Sequence, residues 1–133
     1  LRLSAGVLVG ALLPLAVLAS VSLGQRIGQH GWTPDRLWAS VVVAVALAYG
    51  IAGLWALLRP SAWTARVRRG NLVMAFLLCG VALLLATPLM DFGAISTRSQ
   101  LARLERGAVA PEKFDWAALR FDFGPSGEAA VRR

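Results

Sequence analysis

Three long apolar runs are separated by two short polar stretches, and after the third run the chain turns polar with only short apolar clusters. The runs cover residues 3–23, 37–58 and 72–89 and contain no Asp, Glu, Lys, Arg or His. A helix rises about 1.5 Å per residue, so each run can cross a hydrocarbon core of roughly 30 Å, the third being at the short end of the spanning range. A water-soluble helical domain would break its apolar stripe about every three or four residues. The pattern therefore predicts an all-α integral membrane chain, with three transmembrane helices in residues 1–90 and a short helical extramembrane tail in residues 91–133. A signal peptide competes for residues 3–23, but that run exceeds the apolar core of about 7–15 residues that a signal peptide carries.

Pro14 lies in the middle of the first run, where its missing donor predicts a kink. Residues 24–36 read as the first connection. It ends in a helix start, with Thr33 as N-cap, Pro34 at the first helical position and Asp35 near the positive end of the dipole. Trp32 and Trp38 flank that start at the level of an interfacial aromatic belt. The second connection, residues 59–71, carries Arg59, Arg66, Arg68 and Arg69 and no acid, and Arg59-Pro60 closes the second run. Short loops rich in Arg stay in the cytoplasm, which predicts a cytoplasmic N-terminus and an external, periplasmic tail. The same arginines offer a site for anionic lipid headgroups.

The third run closes near Pro88. In the tail, Thr97 with Gln100 fits a capping box, Ser96 is an alternative cap, and Gly107 is the expected stop. Pro111 and Glu112 suit another helix start. Phe114, Trp116, Leu119, Phe121 and Phe123 follow, more apolar surface than so short a segment can hide alone, so it must dock on something. Residues 124–127 read as a turn, and residues 128–133 as the beginning of a helix.

Small residues recur four apart in the runs: Gly6 and Gly10, and more weakly Ala46 with Gly50, Ala75 with Cys79, and Ala82 with Ala86. This spacing sets them on one helix face, where backbones can approach. The expected contact is intramolecular packing, with Cys79 as a small packing residue.

Composition adds limits. The 133 residues are 57% hydrophobic, and 14 basic against 7 acidic residues give a net charge of +7. In a soluble protein that balance would suggest nucleic acid. Here the basic residues follow the apolar runs, as topology signals do, and no nucleic-acid partner is expected. One cysteine excludes an intrachain disulfide. His30 is the sole histidine, without partner cysteines or neighbouring acids, and reads as a solvated loop residue rather than a metal ligand or general base. No phosphate-cradling glycine loop or metalloprotease, haem or serine-nucleophile motif occurs, so no enzyme activity, cofactor or metal is expected. Uncharged runs disfavour a proton or ion pathway within them. The chain does not begin with Met, so Leu1 is read as an internal position of a longer polypeptide.

Gly31, Thr33, Pro34 and Arg36 ahead of one apolar run, and Ser99, Gln100, Arg103, Leu104 and Gly107 after the last, stand in an order that resembles a family of bacterial multi-pass inner-membrane proteins, domain of unknown function 4153. Asp115 and Leu119 match a further element downstream, and the likeness covers about residues 25–128. The resemblance implies an inner-membrane location, more spans than three, and no established reaction.

The expected role is a non-catalytic inner-membrane protein, an accessory or structural subunit of a membrane complex or the C-terminal part of a larger multi-pass protein. Its partners would be membrane lipids and other membrane-protein subunits. The alternative is a component of a transporter or channel whose polar site lies in other helices. Gln100 is expected to cap its helix, while Arg98, Arg103, Arg106, Trp116 and Phe121 are the candidate contacts for a partner or for lipid.

Overall fold

The structure is a computed structural model of the chain. It describes residues 2–58, 63–87 and 90–132, with side chains described from residue 6 and, in the third long helix, from residue 64. The architecture is all-α. Three long helices, α1 (Arg2–His30), α2 (Pro34–Leu57) and α3 (Trp63–Ala86), precede α4 (Phe92–Glu105), a 3-10 turn (Pro111–Lys113), α5 (Trp116–Phe121) and α6 (Gly124–Val131). The segments Gly6–His30, Pro34–Leu57 and Thr64–Ala86 are long and apolar enough to cross a membrane.

Several element limits differ from those the apolar pattern predicts. α1 does not stop at Leu23 but runs on through the expected connection to His30. Its two extra turns contain Gly24 and Gly28, each costing a helix about 1 kcal/mol relative to Ala. Tertiary hydrogen bonds at its end, described below, offset that cost. α2 starts at Pro34, with Thr33 Oγ1 accepting from the Arg36 amide at 3.4 Å, in agreement with the expected cap. α3 starts at Trp63, so Arg66, Arg68 and Arg69 are helical and not part of a loop. Arginine is a good helix former, and charge ends an apolar run without ending the helix. Arg59, Pro60 and Pro88 lie outside the described residues. α1 is continuous through Pro14.

The chain forms two compact units, Leu1–Ser22 with Ser40–Leu89, and Leu23–Ala39 with Met90–Arg133. In the first, backbones of α1 and α2 come close at Gly50, where an added Cβ would stand 2.9 Å from Leu13 Cα. Gly53 faces Val9 so tightly that a Cβ there would collide with it. Ala16, Ala56 and Met74 are buried, whereas Leu8, Val42, Ile51, Phe76 and Leu83 face outward. Lipid tails are as apolar as leucine, so outward leucines carry no penalty in a bilayer. Cys79 is exposed, which corrects its reading as a packing residue: it lies on the outward face of α3 with Phe76 and Leu83.

The second unit has its own small core of Phe114, Leu119 and Phe123, packed against Leu101, Leu104, Val109, Ala118 and Ala130. α6 lies against α5 and α4, and two glycines allow it: a Cβ on Gly93 would strike the Phe123 carbonyl, and one on Gly127 the Leu119 carbonyl. Asp91, not Thr97 or Ser96, caps α4, its Oδ1 accepting from the Ala94 amide at 2.9 Å. Ser96 and Thr97 sit inside the helix with buried hydroxyls. Gly107 at φ +68 follows the C-cap Arg106 and ends α4 where expected, and Asp115 caps α5. Residues 124–127 are the first turn of α6 and not a free turn, because Pro125 is acceptable where no helical donor is needed.

Candidate functional site

The end of α1 presents carbonyl oxygens with no partner within the helix, together with the negative end of the helix dipole. Gly31 leaves the helix at φ +75, a left-handed conformation that suits glycine, and its amide donates back to the Ile27 carbonyl at 2.8 Å. The next carbonyls are met by side chains from α4. Arg103 Nη2 donates to the Gln29 oxygen at 2.7 Å. Gln100 Nε2 donates to the oxygens of His30 at 3.0 Å and Trp32 at 2.9 Å. Ser99 Oγ accepts from the Trp32 amide at 3.2 Å, and Arg36 Nη1 closes the turn onto the Gly31 oxygen at 2.6 Å.

These side chains lie on neighbouring parts of one face because Arg103 follows Ser99 by four residues and Gln100 by three on α4. Gly31 is buried under them: a Cβ on it would stand 2.6 Å from Arg103 Cδ and 3.1 Å from Gln100 Nε2. Trp38 and Phe92 add an edge-to-face pair at 5.3 Å between the starts of α2 and α4. The result is a latch that fixes the α1–α2 turn to α4 through main-chain atoms. Arg103 Nη2 and Gln100 Nε2 are committed to carbonyls, while Arg103 Nε is buried with no hydrogen-bond partner among the described residues, and among those residues no cluster of His, Cys, Asp and Glu could hold a metal.

A family model described as domain of unknown function (DUF4153) matches residues 1–127. The chain belongs to that family. No curated protein matches it, and no solved structure matches it. Membership confirms the resemblance read from the sequence, and the latch gives it a physical meaning. Gly31 of the first motif packs beneath Gln100 and Arg103 of the second, Arg36 holds the Gly31 oxygen, and Ser99 accepts from the neighbouring Trp32 amide, whereas Thr33 and Pro34 start α2 and Gly107 ends α4. Leu104 and Leu119 belong to the core of the second unit.

The other candidate residues divide. Gly50 makes a close backbone contact and Ala46 is half-buried on the same helix. A Cβ on Gly6 would meet Leu57 at 3.7 Å, while one on Gly10 would meet no described atom within 4 Å. Arg103 faces the α1 end, Arg106 Nε donates to the Ala102 oxygen of its own helix at 2.8 Å, and Arg98 is exposed. Trp116 and Phe121 remain on the surface, 45% and 73% exposed. His30 is also exposed, and its part in the latch is its carbonyl. Gln100 does not cap α4; it serves the end of α1 instead. Sequence reasoning missed Asp91 as the cap, although Asp directly before an apolar helix start is a capping signal.

Proposed function

We propose that this chain is a non-catalytic component of a bacterial inner membrane, an accessory or structural subunit that holds a fixed helical turn and offers an external surface to a neighbouring subunit. The observation that carries this reading is the latch. The motif residues best suited to chemistry, Gln100 and Arg103, are used to hold main-chain oxygens of residues 29, 30 and 32. Trp116 and Phe121 are the surface left for a partner, since Phe114, Leu119 and Phe123 already form the core beneath. The arginines of residues 59–69 support a cytoplasmic position for that segment and a periplasmic one for Met90–Arg133.

Photo-crosslinking from positions 116 and 121 in intact membranes, read by native gel and mass spectrometry, tests the subunit reading. Discrete adducts to one protein support it, and a monomer without specific neighbours defeats it. Orientation is tested separately in a Cys79→Ser background. Glu112→Cys should react with a membrane-impermeant maleimide in cells with a permeabilised outer membrane, and Thr64→Cys only after the inner membrane is opened. The reverse pattern would invert the topology.

A further inference from the structure

The first unit contains Arg2, Arg59, Arg66, Arg68 and Arg69 and no Asp or Glu, so any carboxylate or phosphate that balances its charge comes from outside it. Three of these arginines stand together on the first turns of α3. Beside them a cleft of about 340 Å³ opens, within the range of about 300–1,000 Å³ usual for small-molecule sites. Its inner wall is apolar, with Val9 and Leu12 of α1, Gly53 and Ala56 of α2, and Val73 and Met74 of α3. Its mouth is basic and aromatic. Arg66 and Arg69 line both this cleft and a shallower depression of about 900 Å³ beside it, and Trp55 borders both. The Arg66 guanidinium lies 5.9 Å from the centre of the Trp55 ring.

The spacing along α3 explains the shape. Arg66, Gly70 and Val73 fall on one helix face, and an added Cβ on Gly70 would meet no described atom within 4 Å. The glycine therefore leaves open the passage from the charged mouth to the apolar floor. Such a site suits a molecule with a negative head and an apolar tail. We propose that the cleft binds an anionic phospholipid, with its phosphate against Arg66 and Arg69, its glycerol region beside Trp55, and an acyl chain between α1, α2 and α3. Guanidinium groups take phosphate oxygens in pairs; a free phosphate lacks the apolar tail, and a zwitterionic lipid brings its own cation to the basic mouth and leaves its charge unbalanced. This goes beyond the subunit reading, and it holds or fails whether or not the chain has a protein partner.

Native mass spectrometry of the detergent-purified full chain, offered dioleoylphosphatidylglycerol and dioleoylphosphatidylcholine in equal amounts, tests the proposal. The phosphatidylglycerol adduct should be preferred by roughly tenfold, as expected for two basic side chains against one anionic headgroup. Arg66→Gln with Arg69→Gln should reduce the preference to within about twofold. Gly70→Leu, which favours the helix and fills the passage, should weaken phosphatidylglycerol binding while the arginines remain. Circular dichroism confirms that each variant is helical, and the lipid comparison on the unaltered chain stands without them. Equal retention of the two lipids overturns the proposal. So does a Gly70→Leu variant that binds as before, which would reduce the effect to general attraction by surface charge. Displacement of the lipid by millimolar inorganic phosphate would show that the headgroup alone is recognised, and would overturn the role of the cleft.

Discussion

Arg103 donates from Nη2 to the main-chain oxygen of Gln29 at 2.7 Å, so the fourth helix holds the end of the first across most of the sequence. A guanidinium at a helix C-terminus gains from the hydrogen bond and from the dipole together. Replacing Arg103 with Ala should destabilise the second unit by about 1.5–3 kcal/mol, the range for hydrogen bonds to charged groups. Hydrogen exchange read by mass spectrometry should show amides of residues 28–32 opening faster while those of α3 are unchanged. Uniform protection in the variant would mean that the contact contributes nothing.

Gly31 and Gly107 both have positive φ, but their surroundings differ. Gly107 has no described atom within 4 Å of an added Cβ, whereas at Gly31 that Cβ would meet Arg103 and Gln100. Gly107→Ala should lose only the left-handed conformational term, about 1–2 kcal/mol. Gly31→Ala should lose that and displace the latch as well. Chemical unfolding in detergent is expected to rank Gly31→Ala as clearly the more destabilised, and equal losses would remove the steric argument.

Asp91 and Thr97 offer a second contrast. Asp91→Ala removes the cap of α4 and should cost about 1 kcal/mol. Thr97 Oγ1 is buried without a hydrogen-bond partner among the described residues, so the isosteric Thr97→Val should be neutral or slightly stabilising in the same unfolding assay. A marked loss in Thr97→Val would instead point to a hydrogen bond that this arrangement lacks.

Between α1 and α2 the sensitive position is Gly50. Gly50→Leu would drive a side chain into Leu13 and should lower the melting temperature and the yield of monodisperse protein. Gly10→Leu, with open space at its Cβ, should stay within about 0.5 kcal/mol of the parent. Size-exclusion chromatography and thermal unfolding in detergent distinguish the two.

The long helices were legible because an uninterrupted apolar run is a strong local signal, as was the Thr33-Pro34 start of α2. What lay beyond reach of local reading was tertiary. Residues 24–30 carry glycines and polar side chains, and nothing near them in sequence says that they continue α1; the donors that complete that helix end are Gln100 and Arg103. Thr97 with Gln100 matches a capping pattern as spacing, yet Thr97 is turned inward and Gln100 reaches another segment. The aromatic cluster of the tail was recognised as surplus apolar surface, but its division into buried Phe114 and Phe123 and exposed Trp116 and Phe121 depends on how α5 and α6 fold back. The cleft beside Arg66 and Arg69 likewise needs three helices at once, and the sequence supplied only its charge.

The latch recognises oxygen atoms that every amino acid carries. Gln29, His30 and Trp32 enter it through main-chain carbonyls, so their identities can drift without disturbing those bonds, while Gln100 and Arg103 have few substitutes. Across related chains the turn should therefore vary at its acceptor positions and stay narrow at its donors and at Gly31. A mutational scan of the turn and of α4 read by membrane expression would give the same asymmetric profile, with residues 29, 30 and 32 open to change and Gly31, Gln100 and Arg103 closed.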